Sequence, residues 1–151
     1  MKTITLRQLR KLGACHDQLA KFEQTFGKEV ELTESLVVQY AGEFYVGWLF
    51  GKLYPEAFGK VTHSLVKVFN ADTEEANQSY YEATAPALKV FKEATNMDAD
   101  CQAYEEAEVK ARKVYSEATA QAWKAWKKAT APAMKCYREA VAIAFYKEYT
   151  K

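Results

Sequence analysis

Residues Tyr115 to Phe145 read YSEATAQAWKAWKKATAPAMKCYREAVAIAF, and this stretch decides the fold. It repeats every eleven residues, with YSEATA starting at Tyr115, WKKATA at Trp126 and YREAVA at Tyr137. Eleven residues complete three turns of an α-helix at about 3.67 residues per turn, so each aromatic residue returns to the same face. The stretch therefore predicts one long helix with its aromatic residues on one side.

Two stripes follow this helix, one of larger and one of small side chains. The larger residues recur at steps of four, four and three: Tyr115, Thr119, Trp123, Trp126, Thr130, Met134, Tyr137, Val141 and Phe145. The small residues recur at similar steps: Ala118, Ala122, Ala125, Ala129, Ala133, Cys136, Ala140 and Ala144. So regular an apolar face is expected to pack on a partner surface. The pattern leaves open whether that partner lies in the same chain or in a second copy.

The same repeat occurs earlier in the chain and is interrupted once. Aromatic residues lie eleven apart up to Phe91, with Leu88 on the predicted face, but the next one, Tyr104, lies thirteen residues further on. The two extra residues fall where Asn96 can end one helix and Asp98 can cap the next. Residues 71–151 are therefore predicted to form a helical hairpin that turns near residues 96–98.

Two prolines lie inside the predicted helices. Pro86 and Pro132 both occur in the sequence ATAPA. A proline inside a helix removes one hydrogen bond and clashes with the preceding turn, at about 3 kcal/mol. Because the aromatic spacing continues across both prolines, we expect kinks and not new helix starts.

Residues 1–70 predict several short helices whose ends carry recognisable signals. The expected ends are an N-cap at Thr3 or Thr5, stops at Gly13 and Gly27, an N-cap at Thr33, a helix start at Pro55 running to about Phe69, and another start near Thr73. Residues 28–32 are expected to be extended or a loop. The overall prediction is one all-α domain, with this short-helix region packed against a long, kinked hairpin built on eleven-residue repeats.

The charges of the predicted hairpin are divided along the sequence. Residues 72–108 hold ten acidic and two basic residues, whereas residues 109–151 hold ten basic and three acidic residues. In an antiparallel hairpin these segments would lie side by side, so complementary packing is the favoured interpretation. The alternative is an outward-facing basic helix that binds an acidic protein, nucleic acid or an anionic membrane.

Several short motifs follow one another along the chain. The first is LRxLGAC, present as Leu9, Arg10, Leu12, Gly13, Ala14 and Cys15. The following motifs comprise Phe22, Phe26, Gly27, Val30, Glu31 and Thr33, then Phe44 and Trp48, and alanine-rich repeats of the type YxEATAPAxKx come after them. In these motifs most of the chain resembles a family of phage and prophage proteins of no defined activity. The resemblance implies a phage or prophage origin and no particular chemistry.

Side chains that could carry catalysis are sparse and scattered. His16 follows Cys15, but adjacent residues on a helix point about 100° apart, which does not suit a nucleophile and its base. His63 lies far along the chain, and the three cysteines lack the spacing of a zinc site. We therefore expect no enzymatic activity, no catalytic residues, no cofactor and no metal, and three reduced, buried thiols.

The sequence favours a non-enzymatic protein–protein interaction protein that acts on a host or phage protein, for example as an inhibitor or accessory factor. Its candidate interaction face is Trp123, Trp126, Lys124, Lys127, Lys128, Lys135 and Arg138. Self-association is a second possibility, and binding to nucleic acid or an anionic membrane through the basic segment is the alternative. We find no signal peptide and no run of 18 apolar residues, so we expect a cytoplasmic protein.

Overall fold

A computed structural model of the protein describes residues 2–95 and 101–151, and the side chains of all of these except residues 101–103. Within these residues the fold is all-α apart from a two-stranded sheet, as predicted. Strand β1 (Thr3–Thr5) pairs antiparallel with β2 (Glu29–Glu31). The helices are α1 (Leu6–Lys11), α2 (His16–Phe26), α3 (Glu34–Gln39), α4 (Val46–Leu53), α5 (Pro55–Thr95) and α6 (Cys101–Tyr149).

The ends of the short helices follow the local signals in the sequence. The hydroxyl of Thr5 accepts a hydrogen bond from the Gln8 backbone N–H at 3.2 Å, and the Gln8 side chain accepts one from the Thr5 N–H at 2.8 Å. This reciprocal pair is a capping box that starts α1. The hydroxyl of Thr33 accepts a hydrogen bond from the Leu36 backbone N–H and so caps α3, and Gly27 ends α2 with a positive φ of 75°. These predicted ends are confirmed.

Helix α5 is longer than the sequence signals predicted. We expected one helix to end near Phe69 and another to begin near Thr73, and this is wrong because α5 continues without a break from Pro55 to Thr95. Thr73 is fully buried at the point of the predicted start. The eleven-residue periodicity therefore outweighs a local capping pattern, since burial of a continuous face fixes the helical phase. The turn predicted near residues 96–98 lies outside the described residues.

Both prolines lie inside continuous helices. Pro86 is within α5 and Pro132 is within α6. The alternative that a new helix begins at either proline is therefore excluded. Both side chains are exposed, so neither ring contributes to the buried faces.

The chain divides into two compact units. The terminal unit consists of Met1–Phe69 together with Met134–Lys151, and the hairpin unit is Asn70–Ala133. The core of the terminal unit is Ile4, Leu6, Leu9, Phe22, Val37, Ala41, Phe50, Val141, Ala142 and Phe145. The last segment of α6 thus completes the core that the short N-terminal helices begin.

One contact joins the two ends of the terminal unit. The hydroxyl of Tyr149 donates a hydrogen bond to the backbone oxygen of Thr3 at 3.0 Å. Burial raises the pKa of Tyr149, because the phenolate is disfavoured away from water, and the nearby Tyr54 raises it further. The C-terminal turn of α6 is therefore held against β1 by a neutral tyrosine.

Candidate functional site

In the hairpin unit, two inter-helix contacts show how α5 and α6 run. The Phe91 and Tyr115 rings stack with centroids 5.7 Å apart. Further along, the indole Nε1 of Trp126 donates a hydrogen bond to Oδ1 of Asn77 at 2.7 Å. Residue numbers fall along α5 as they rise along α6, so the two helices are antiparallel. The predicted helical hairpin is confirmed.

The threonines of the repeat satisfy their hydroxyl groups within their own helices. In the hairpin unit, Thr84, Thr119 and Thr130 of the ATA motifs, and Thr95 at the end of α5, each follow an aromatic residue by four positions and donate a hydrogen bond to its backbone oxygen. Thr84 and Thr130 are buried. A buried hydroxyl without a partner is costly, and these bonds satisfy it within the helix. The repeated threonines are therefore structural.

The burial pattern corrects the predicted faces of both helices. Ala87 and Ala122 are buried, whereas the adjacent Leu88 and Trp123 are exposed. From one aromatic residue of the repeat to the next, the positions that face the interface are therefore spaced by four, three and four residues. The prediction that Leu88 and Trp123 belong to the core is wrong. Small residues at these positions allow the two helices to approach closely, since the interaxial distance depends on the side chains at the contact.

The small-residue stripe is also only partly buried. Ala125, Ala129 and Cys136 are exposed, so this stripe is not a continuous packing surface. Ala122 of this stripe is buried, as is Ala111, eleven residues earlier on α6. Among the described alanines of α6 in the hairpin unit, these two are the buried ones.

Displacing Trp123 from the interface creates an aromatic surface that we call the tryptophan patch: Tyr80, Tyr81, Trp123, Trp126 and Lys127. The Trp123 and Trp126 rings are stacked with centroids 4.7 Å apart and planes 8° apart. Tyr80 meets Trp123 edge to face at 6.4 Å and meets Tyr81 in the same way at 5.9 Å. Trp123 is 45% exposed and Tyr81 is 67% exposed. The patch is a solvent-facing array of rings held together by mutual contacts.

Lys127 and Asn77 each contact one of the two tryptophans of the patch. The Lys127 ammonium lies 5.2 Å from the centroid of the Trp123 ring, within the range of a cation–π contact. The hydrogen bond to Asn77 holds the Trp126 indole against α5. Because Trp123 stacks on this anchored indole, its orientation is set before any partner binds.

The other predicted interaction residues fall into both units. Lys127 is exposed in the hairpin unit and contacts the Trp123 ring, whereas Lys124 and Lys128 are exposed about 100° and 140° around α6 from Trp123. Lys135 and Arg138 are exposed on the part of α6 that belongs to the terminal unit. Of the predicted face, the structure thus brings Trp123, Trp126 and Lys127 together on the hairpin unit.

Opposite charges on the two long helices do not meet across the interface. Among the described residues, three ion pairs lie within α5 or α6: Lys89 with Glu93, Glu108 with Arg112 and Lys135 with Glu139. A fourth joins Glu148 of α6 to Lys151, just after the helix. Exposed pairs of this kind contribute about 0–1 kcal/mol each. The favoured interpretation of acidic residues lying against basic ones is therefore not what holds the hairpin. Aromatic rings, threonines and alanines form its interface.

The residues weighed for catalysis lie on the surface. His16 is almost fully exposed and lies 3.8 Å from Asp17, and Cys15 is an exposed free thiol. Cys136 is also exposed, so the prediction of buried thiols is wrong for these two cysteines. In the described part of the chain, no three His, Cys, Asp or Glu side chains cluster as metal ligands would.

Comparison with models of protein families finds no matching family, and comparisons with curated proteins and with solved structures find no match either. Among the described helices, none has the length and apolar character that crossing a membrane requires. The assignment of function therefore depends on the surfaces of the molecule itself.

The Asn77–Trp126 contact can be measured with a double-mutant cycle. Asn77→Ala removes the acceptor, and Trp126→Phe keeps a ring but removes the donor. We expect a coupling of about 0.5–1.5 kcal/mol in the free energy of unfolding, the usual net contribution of one partly buried hydrogen bond. Urea denaturation followed by circular dichroism gives the four values. A coupling near zero would mean that this bond does not anchor the patch.

Proposed function

We propose that the protein is a non-enzymatic interaction protein that binds a partner protein through the tryptophan patch. The observation that carries this proposal is the parallel stack of Trp123 on Trp126, with Trp123 nearly half exposed. Tryptophan and tyrosine dominate the energetic centres of protein interfaces. An aromatic array whose geometry is already fixed loses little side-chain freedom on binding, which favours affinity.

The charge around the patch indicates the kind of partner. Lys127 is exposed, and its ammonium lies 5.2 Å from the centroid of the Trp123 ring. A positive group beside a binding surface speeds association with a negatively charged partner and discriminates against a positive one. We therefore propose a partner with an acidic group beside the apolar pocket or groove that receives Trp123.

The origin of the chain is a further part of the proposal. The resemblance of its N-terminal motifs and alanine-rich repeats to phage and prophage proteins supports a phage source. The partner would then be a host or phage protein, and the compartment would be the cytoplasm of the host cell. The role of an inhibitor or accessory factor fits a small protein that acts by binding alone.

The test is quantitative affinity capture with two variants of the full chain. Trp123→Ala should reduce recovery of the partner at least about tenfold, because truncating a central aromatic commonly removes that much affinity. Val114→Ala is the matched control, since Val114 is similarly exposed and lies about half a turn around α6 from Trp123. The control should recover the partner as the unchanged protein does. Equal recovery by both variants would contradict the proposal.

The alternative, binding to nucleic acid or an anionic membrane, is separated by its salt dependence. Exposed lysines that contact phosphates give binding that falls steeply between about 50 mM and about 200 mM salt. The protein should show little co-sedimentation with DNA or anionic vesicles at either concentration. Tight, salt-sensitive binding that survives Trp123→Ala would favour the alternative function.

A further inference from the structure

The terminal unit contains a cavity of about 410 Å³ that the proposed function does not use. Its walls come from α2, α3, α4 and the segments between them, and include Phe22, Phe26, Val37, Tyr40 and Leu49. Small-molecule sites in proteins are concave, mostly apolar and about 300–1,000 Å³ in volume. The cavity lies within that range, although fewer than 90 residues form the unit around it.

The rings that form the cavity wall brace one another. Phe26 lies 5.3 Å from Phe22, 5.0 Å from Tyr40 and 5.5 Å from Phe44, measured between ring centroids. The first two pairs are edge to face and the third is tilted, and together they resist collapse because each ring is held by others. In a fully packed core another side chain would occupy this space, whereas here the rings form the wall of an open cavity.

The lining defines the chemistry of the ligand. Among the described residues that line the cavity, none carries a charged side chain, and the polar members are Cys15, Gln18, Tyr40, Tyr45 and Trp48. Burying an ion in such surroundings is strongly unfavourable. Lys21, which lies 5.5 Å from the centroid of the Phe44 ring in the cavity wall, pairs with Glu43 at 3.0 Å. The uncharged lining therefore suits a neutral molecule.

The mouth of the cavity lies between the start of α2 and the segment before α4. Gly13 and Cys15 are exposed on one side and Tyr45 on the other. The Oε1 of Gln18 accepts a hydrogen bond from the Tyr45 backbone N–H at 3.3 Å, and Lys21 holds Glu43 in the same segment. An uncharged polar end of a ligand can reach water and the Gln18 amide here, while an apolar body lies among the rings.

We propose that the terminal unit binds a neutral, mostly apolar small molecule with one uncharged polar end, of the type of a medium-length aliphatic alcohol, in this cavity. The site is separate from the tryptophan patch, which is built from residues of the hairpin unit. Failure of one proposal therefore leaves the other standing.

The test uses the full-length protein and two ligands that differ only in charge. The fluorescent probe N-phenyl-1-naphthylamine, itself neutral and apolar, should bind saturably, and decan-1-ol should displace it. Decanoate, with the same chain length and a carboxylate, should bind at least about tenfold more weakly because of its charge. Decan-1-ol should also raise the melting temperature, since a ligand that binds only the folded state stabilises it.

Variants locate the binding. Ala14 lines the cavity and Ala20 lies exposed on α2, away from it. Ala14→Phe should fill the space and weaken decan-1-ol binding at least about tenfold, whereas Ala20→Phe should leave it unchanged. If circular dichroism shows that Ala14→Phe does not fold, Leu36→Trp fills the cavity from its opposite wall. Absence of saturable binding, equal binding of decanoate, or unchanged binding by a folded cavity-filling variant would each overturn the proposal.

Discussion

Replacing Phe50 by alanine should lower the free energy of unfolding of the terminal unit by about 3–5 kcal/mol, the largest loss we expect from a single truncation. Phe50 is 0% exposed. Its ring lies 5.5 Å from that of Phe58 and 5.9 Å from that of Phe145, so it joins α4, α5 and α6. Removing it deletes the transfer energy of the ring and leaves a cavity that three helices cannot all close. Urea denaturation followed by circular dichroism measures the loss.

The control for this prediction is Val68→Ala. Val68 belongs to the same unit and lies on α5, but it is 58% exposed. Its truncation should change the free energy of unfolding by less than about 0.5 kcal/mol. A loss below about 1 kcal/mol for Phe50→Ala would show that the described core does not hold the unit together.

Replacing Pro132 by alanine should have a large effect in the opposite direction. A proline within a helix costs about 3 kcal/mol, through one lost hydrogen bond and a clash with the preceding turn. Proline also restricts the unfolded chain, which returns about 0.4–1 kcal/mol of stability. Because Pro132 is exposed, alanine loses no packing, and the net gain should be about 2 kcal/mol in the free energy of unfolding.

Pro55 provides the matched control, since it is the first residue of α5. A proline at this position sacrifices no intrahelical bond and has a suitable φ. Pro55→Ala should therefore bring no gain and a loss of at most about 1 kcal/mol. If Pro132→Ala destabilised the protein instead, α6 would have to be adapted to the proline, and the helix would depend on its distorted shape.

Much of the secondary structure could be predicted because its causes are local. The caps at Thr5 and Thr33 and the stop at Gly27 each depend on residues within one turn. The eleven-residue spacing likewise predicts two long helices, since it alone determines which face the aromatic residues share. Residues 1–69 and 134–151 meet in one unit, however, and no local signal indicates that pairing.

The sequence indicates some of the residues of the tryptophan patch but not its geometry. Trp123, Trp126 and Lys127 belong to the predicted interaction face, and the repeat also predicts Trp123 in the core. Asn77, Tyr80 and Tyr81 complete the site from α5, and only the hairpin register brings them to α6. For Asn77 the sequence offers one indication, which is that it lies three positions before Tyr80, an aromatic residue of the repeat.

The sequence by itself determined that the aromatic residues of each long helix return to one face every eleven residues. The tertiary structure decided which of two adjacent residues beside that face packs against the partner helix. Positions 122 and 123 both border the aromatic face, and hydrophobicity favours the tryptophan for burial. The structure buries Ala122 and exposes Trp123, because a methyl group at this position lets the two helices approach closely, whereas an indole at the same position would hold them apart. Ala87 and Leu88 repeat the choice on α5. Which residue is buried here depends on the space between the two helices, and the sequence of one helix alone does not define that space.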